Sequence, residues 1–473
     1  MRVSRTVKKA AATTAVALLL ATGQLATPVA VAQTTPNSVP PPVDRSVLDK
    51  PTDPKADVEY TRTNKACIAS NTGNRSIVPK PRAQMVLRLE EAHEFATGAG
   101  VKIAIIDTGV EASHPRLAGR VKATGDYVVT AEKGTTDCDG HGTEVAGVAA
   151  ASRDPDTGFV GAAPDAEILA IRQTSDRYEF KDKSGADVRK SAGKVTTLAQ
   201  AIVRAVDQGA NVINISLTSC DSPKAPSAGE RKLQAAIDWA VNEMDTVIVT
   251  AAGNIGSDGT GCKDQNDNQN PDTVKVIASP PWYSKDVLSV ASINKLGEPS
   301  TFSVWGPWVS IAAPGEDITT IDPKGTGLTN ANADEQGTLT TIQGTSFASP
   351  YVAGVAALVR QKFPKLTARQ VMDRLTATAQ HPGNPSGRDH KVGAGMINPI
   401  AALTAELPAE AEGAVVPQIA PLITDLGPGL HKDNTRLVVA LSGTGIGVGL
   451  LLLTLFVVHT MSRNRGRSVV RRG

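Results

Sequence analysis

The amino-acid sequence predicts an α/β fold, a mainly parallel β-sheet with helices on both faces, followed by one C-terminal transmembrane helix. Three observations lead there. Strand-like and helix-like runs take turns through the middle of the chain. Several strand-like runs are apolar throughout, as strands buried on both faces must be. Aromatic residues are 3% of the chain against 41% hydrophobic residues, so the core has to be assembled from Ala, Val, Ile and Leu. The 473 residues leave room for one large domain with additions, or for two to three domains.

Taken in order, residues 1–32 read as an export signal. Arg2, Arg5, Lys8 and Lys9 precede the apolar stretch "AAATTAVALLLA", and "AVA" at 30–32 offers small residues for cleavage before Gln33. Residues 33–84 hold "VPPPVD" and "KPTDPKAD", show no clear period, and read as an extended segment. A helix is predicted through "QMVLRLEEAHEFA" (84–96). The folded unit spans 85–405. Its strands are "VKIAIID", "AEILAIRQ", "VINISL", "TVIVTAAG" and "VLSVASI". Its helices are "TEVAGVAAAS", "TTLAQAIVRAVDQ", "ERKLQAAIDWAVNE", "FASPYVAGVAALVRQKF" and "ARQVMDRLTATA". Residues 406–436 read as a Pro/Ala-rich tether. The transmembrane helix is placed at 437–459: Leu437 to Val458 has no charged residue and would be about 33 Å long as a helix, against a hydrocarbon core of about 30 Å. Arg463, Arg465, Arg467, Arg471 and Arg472 follow, so residues 460–473 are expected in the cytoplasm and the rest outside.

The formal charge of +2 is therefore uninformative about partners. The basic residues at the two ends serve topology, and the exported part carries 40 basic against 47 acidic groups, a balance of −7. Nothing points to nucleic acid, and the bilayer is the expected partner of 437–459. No phosphate-binding glycine loop is present, and no cofactor is expected. "CKDQNDNQNPD" (262–272) has oxygen ligands but lacks the spacing of a calcium loop, so no metal is assigned.

Four residues stand out. Asp107 ends "VKIAIID", Asn254 ends "TVIVTAAGN", His141 opens a small-residue helix in "DGHGTEVAG", and Ser346 lies in "GTSFASP" before another. In open parallel sheets ligands gather at the carboxyl ends of strands. Singly, each residue has a plain explanation as a turn, loop, core or capping residue. Together they fill the parts of a nucleophilic acyl transfer: Ser346 as nucleophile, His141 as base, Asp107 to orient it, and Asn254 as an oxyanion donor. The chain order Asp, His, Ser belongs to the subtilisin type. Gly344 lets the chain bend into the helix, the small residues at 348, 353, 354, 356 and 357 let that helix press on the sheet, and Pro350 is expected in the first turn, where no donor is lost.

The blocks "IAIIDTGV", "HGTEVAG", "NISL", "AAGN" and "GTSFASPYVAG", in this order, resemble the signatures of the subtilase family of serine proteases over residues 85–405. The resemblance implies a subtilisin-like fold, the triad Asp107, His141 and Ser346, and Asn254 with the Ser346 N–H as oxyanion donors. It also implies that the segment Ser216, Leu217, Thr218 borders the substrate cleft. Four departures stand against that pattern, the largest being residues 33–82, which read as too Pro-rich for the compact folding prodomain that many secreted subtilases carry. Glu144 occupies a position where many subtilases have a second histidine, and is expected to alter the surroundings rather than the base. Thr218 replaces a usual glycine. The charged stretch 173–197 reads as a loop-like insertion that could cover or extend the cleft.

In an exported chain the four cysteines suggest disulfides, for which three pairings are possible. Cys220 and Cys262 each follow a strand end and are expected to pair, which gives Cys67 to Cys138 just ahead of His141. The extension would then be strapped to the enzyme. Signal, strapped extension, subtilase domain, tether and single membrane helix together resemble the mycosins, membrane-anchored subtilases of type VII (ESX) secretion systems. That resemblance implies restricted cleavage of secreted protein substrates and association with the secretion membrane complex. A structural subunit with little proteolysis, or a general scavenging protease, are the competing expectations.

Overall fold

The computed structural model describes residues 38–70, 77, 80–181, 189–256, 261–266, 273–333, 338–410 and 447–461. The expected signal (1–32), most of the tether and nearly all of the cytoplasmic tail lie outside them. The chain divides into two compact units, residues 1–407 and 408–473.

Seven strands make the central sheet of the first unit. They are β1 (Lys102–Asp107), β2 (Val121–Asp126), β3 (Glu167–Arg172), β4 (Val212–Ile215), β5 (Val247–Ala251), β6 (Leu288–Ile293) and β7 (Val309–Pro314). Their spatial order is β7-β6-β5-β4-β1-β3-β2, and every neighbouring pair is parallel. β4, β5 and β6 are buried at every position, which explains their unbroken apolar runs. Two strands go beyond those predicted, and both lie at edges. β2 carries Lys122, Thr124 and Gly125, and its first half is not buried. β7 ends in Pro314, which only an edge or a strand end tolerates. From β1 the chain runs out to β2, returns through β3, and then crosses to the other side of β1. This reversal puts the carboxyl ends of β1, β4 and β5 beside one another.

The predicted helix over 84–96 is instead two short helices, α1 (Arg82–Val86) and α2 (Leu89–Ala92). Arg88 between them is left-handed, φ 52°, and its neighbours Leu87 and Leu89 are both buried. One straight helix would place residues 87 and 89 about 200° apart, on opposite faces, and could not bury both in the same core. The remaining helices are α3 (His141–Ala150), α4 (Val195–Asp207), α5 (Ala228–Asn242), α6 (Thr345–Lys362), α7 (Ala368–Ala377) and α8 (Pro399–Thr404). α5 and α7 start in capping boxes, Ser227 with Glu230 and Thr367 with Gln370. α4 packs on α5, and α3 packs on α6. The α3–α6 approach depends on small residues: a Cβ at Gly354 would lie 2.4 Å from Ala162 Cβ and 3.0 Å from Ala149 O.

The described part of the extension, from residue 38, runs along the domain with little secondary structure. Trp282 Nε1 donates to Ser38 O at 3.0 Å, Gln234 Nε2 to Pro41 O at 2.7 Å, and Lys232 pairs with Asp49 at 2.6 Å. Farther on, Thr61–Arg62 joins a three-stranded antiparallel sheet with Ser175–Lys181 and Arg189–Ala192. The stretch 173–197 is therefore no simple loop: it holds two paired strands, clasps the extension, and ends in α4. Its charged residues fit a strand pair with an open face.

In the second unit, residues 447–461 are helical, with Leu450, Leu451, Leu452, Leu453, Leu455 and Phe456 exposed. Among the described residues no helix is long and apolar enough to cross a membrane. Residues 437–446 of the expected span lie outside them.

Candidate active site

β1 delivers Asp107 into the interior, where it is completely buried. Its Oδ1 accepts the Thr108 N–H at 2.8 Å and lies 2.7 Å from His141 Nδ1. A carboxylate can only accept, so Nδ1 carries the proton and Nε2 of the neutral ring is left to take one. His141 is held in place by a second buried acid. Asp137 Oδ1 accepts the Gly140 N–H at 2.8 Å and the Thr108 hydroxyl at 3.0 Å, and its Oδ2 accepts the Thr143 N–H at 2.8 Å and hydroxyl at 2.7 Å. Thr108 Oγ1 in turn accepts the Gly142 N–H at 2.9 Å. The first turn of α3 is thus laced to the loop after β1. Gly142 is required there, because a Cβ would fall 2.0 Å from Gly109 O.

Ser346 is the second residue of α6 and is nearly buried. Gly344 before the helix has φ 147°, a conformation that favours glycine. Pro350 is the sixth helical residue and not in the first turn, so the expectation that it costs no hydrogen bond fails. An N–H at 350 would have bonded the Ser346 carbonyl. Instead that carbonyl accepts the Ser216 hydroxyl at 2.9 Å, and Ser349 Oγ lies 3.5 Å from it. The proline fastens the serine to the end of β4. Ser346 Oγ itself donates to Ser216 O at 3.4 Å and makes no hydrogen bond to His141 in this state. The imidazole packs edge-to-face on Phe347, the residue after Ser346, at a centroid distance of 5.3 Å.

Asn254 follows β5. Its Oδ1 accepts the Thr345 N–H at 2.9 Å and the Thr345 hydroxyl at 3.0 Å, while the Gly253 N–H donates to Thr345 Oγ1 at 3.2 Å. Because the Thr345 N–H can only donate, the amide oxygen must face it, and Nδ2 is turned toward the Gly344–Ser346 turn. Nδ2 lies 3.5 Å from where a Gly344 Cβ would stand. The Ser346 nitrogen, whose N–H no helical carbonyl reaches, lies 3.7 Å from the same point, so the two donors share one small region beside the turn.

The segment Ser216–Thr218 runs past this point. Ser216 is buried against Ser346, Leu217 packs on the core, and Thr218 Oγ1 donates to Ala251 O at 3.0 Å. The Thr218 methyl stands 3.1 Å from a Cβ position on Gly253, so it fills space that a glycine would leave open between the two chain ends. The Cys220–Cys262 disulfide joins the segments after β4 and β5 with Cα atoms 5.2 Å apart, and Cys67–Cys138 ties the extension to the loop before His141. At that second tie Ile68 N–H donates to Cys138 O at 2.9 Å.

Charge is concentrated around the imidazole. Burial of the His141 ring works against its protonation, but Asp107, helped by Glu144 and Asp137, outweighs this and pushes the ring up to about 9. Glu144, one turn along α3 and fully buried, is pushed by burial up to about 8, with His141 pulling it down. The remaining described histidines of the domain lie elsewhere: His93 contacts Ala162 and Arg153, His114 holds the Arg116 N–H, His381 contacts Ala394 O, and the His390 carbonyl accepts the Gly306 N–H. Sequence reasoning missed Thr108, Asp137 and Thr345. Each sits within four residues of a chosen residue, inside the same quoted block or just ahead of it, so proximity to the block was the available signal.

With this geometry in hand, comparison with known proteins is specific. A model of the subtilase family matches residues 98–395. Mycosin-1 of Mycolicibacterium smegmatis is 43% identical over 78% of this chain and 82% of that protein. Mycosin-1 of Mycobacterium tuberculosis is 40% identical over 87% of this chain and 93% of its own length. Among solved structures, the serine protease MycP1, described as an essential component of the type VII (ESX-1) secretion system, superposes with a TM-score of 0.69 at 41% identity, covering 77% of this chain and 99% of that one. A chain of an intact ESX-5 inner membrane complex matches with a TM-score of 0.70 at 35% identity, over 89% of this chain and 99% of that one. The chain belongs to the subtilase family of serine peptidases, within its mycosin group.

Proposed function

We propose that the chain is a membrane-anchored, extracytoplasmic serine endopeptidase that processes secreted protein substrates of a type VII secretion system and helps stabilise that system's membrane complex. The observation that carries the catalytic part is the 2.7 Å contact between His141 Nδ1 and the buried Asp107 carboxylate, with the Ser346 turn alongside. In this reading Ser346 Oγ turns from the Ser216 carbonyl toward His141 Nε2 as substrate binds. The hydroxyl oxygen attacks the scissile carbonyl carbon, and its proton passes to Nε2. Asp107 stabilises the imidazolium. The carbonyl oxygen becomes an oxyanion facing Asn254 Nδ2 and the Ser346 N–H. His141 then gives its proton to the departing amine, leaving an acyl-serine, and a water molecule repeats the sequence to release the acid.

The partner is read from two sources. Similar chains occur in an essential ESX-1 component and in an ESX-5 inner membrane complex. The apolar stretch 437–459 followed by five arginines fits a single anchor with the domain outside the cytoplasm. Comparing the secreted proteins of wild-type, Ser346→Ala and deletion strains tests both halves. The reading expects unprocessed substrate with secretion retained in Ser346→Ala, and loss of secretion on deletion. Identical processing in Ser346→Ala would remove the peptidase role, and normal secretion on deletion would remove the structural one.

A further inference from the structure

Glu144 is a fully buried acid that the reaction above does not use. It lies three residues after His141 on α3, so the two side chains are neighbours on one helix face. Its Oε2 accepts from Asn332 Nδ2 at 3.2 Å, and its Oε1 has no partner among the described residues. Asn332 belongs to the strand pair Ala331–Ala333 and Leu339–Thr341, which leads directly into the Gly344–Ser346 turn. The Glu144 main chain is held to the same side, since Thr320 Oγ1 donates to its carbonyl at 2.7 Å.

A carboxylate with one hydrogen bond and one bare oxygen in a dry interior is expensive unless a cation stands nearby. Among the described residues the groups that act on it are His141 on its own helix, Asp137 in the preceding loop, Asp322 beyond Thr320–Ile321, and the neutral amide of Asn332. Of these only His141 can be positive. We infer that Glu144 is a positioning residue for the base: where it is ionised its carboxylate is balanced by the His141 imidazolium, and the two groups take up and release protons as a pair. The inference rests on the triad reading. Asp107 holds the imidazole from Nδ1, and Glu144 acts on its charge from the next helical turn. The directions of the two titrations agree, with Glu144 drawn down by His141 and His141 drawn up by Glu144. The consequence is a base that gives up its proton at higher pH than it would beside Asp107 alone.

The test uses the full chain in detergent and a fluorophosphonate probe. The rate of modification of the Ser346 peptide is followed by mass spectrometry from pH 5.5 to 10 in wild type, Glu144→Gln and Glu144→Ala. Both variants remove the charge, and Glu144→Gln keeps a partner for Asn332. The acid limb of the rate profile should move to lower pH by about half a unit or more, which is about a threefold gain in rate below the limb. A folded variant whose rates are scaled equally at all pH values, with the limb unmoved, overturns the inference and leaves Glu144 a packing residue. Failure of both variants to fold does the same. A wild type that forms no Ser346 adduct at any pH overturns the triad reading instead.

Discussion

His141 Nδ1 and Asp107 Oδ1 lie 2.7 Å apart where β1 meets α3, and the carboxylate has no exposure to solvent. This contact fixes the tautomer of the ring. Asp107→Asn keeps the shape and can still accept the Thr108 N–H, but it no longer forces the proton onto Nδ1. Reaction of Ser346 with an acylating substrate should fall by about 10⁴-fold with little change in folding. Peptide hydrolysis and circular dichroism of the same sample check the two halves of that statement.

The oxyanion side gives a graded pair. Asn254→Ala removes the Nδ2 donor and should lower kcat by about 10²–10³-fold with KM nearly unchanged. Thr345→Val leaves the donor present but removes the hydroxyl that receives the Gly253 N–H and donates to Asn254 Oδ1. The looser amide should cost about 10-fold to 100-fold. A larger loss in Thr345→Val than in Asn254→Ala would count against Asn254 as the donor.

Much of this site was legible in the sequence because its chemistry sits at strand ends and helix starts. Asp107, His141, Asn254 and Ser346 each interrupt or border an apolar run, and polar residues in such places are conspicuous. The bracing residues were not legible. Asp137 and Thr108 lie in polar loops where any acid or hydroxyl looks ordinary, and only the folded chain brings the two together. The same holds for Pro350. Its meaning depends on Ser216, 134 residues earlier, accepting the role of the missing N–H. Strand β2 escaped because an edge strand need not be apolar on both faces; β7 is buried at five of its six positions, and its apolar run was there to be read but ends in Pro314. The hairpin strands of 173–197 escaped because charged residues face solvent on them.

Stability should respond to pH through the same groups. Glu144 holds its proton up to about 8 in the folded chain, above its ordinary 4.5. Its contribution to stability is therefore complete below about 4.5 and is lost as the pH rises toward 8. His141 adds a like trend, complete below 6.5 and lost through about 9. Relative to wild type, Glu144→Gln should gain stability steadily between pH 5 and 9, seen as urea midpoints that diverge upward. Parallel midpoints across that range would mean that Glu144 titrates alike folded and unfolded.

The strap has a thermodynamic role that can be measured apart from catalysis. Cys67–Cys138 closes a separation of 71 residues, and in the chain-entropy model such a closure is worth about 4 kcal/mol. The Cys67→Ser, Cys138→Ser double variant should lose stability on that order in urea unfolding. Because Cys138 lies three residues before His141, the reactivity of Ser346 toward a fluorophosphonate probe should also fall. Loss of stability with unchanged reactivity would show that Asp137 and Thr108 hold the His141 loop without the bridge.

The central claim is that Asp107, His141 and Ser346 act as one unit, and the most direct measurement is the site and rate of fluorophosphonate adduct formation in wild type, His141→Ala and Ser346→Ala. The account predicts a single adduct on Ser346 Oγ, absent in Ser346→Ala and slower by about 10³-fold or more in His141→Ala. An adduct on another residue, or an undiminished rate without the imidazole, would contradict it.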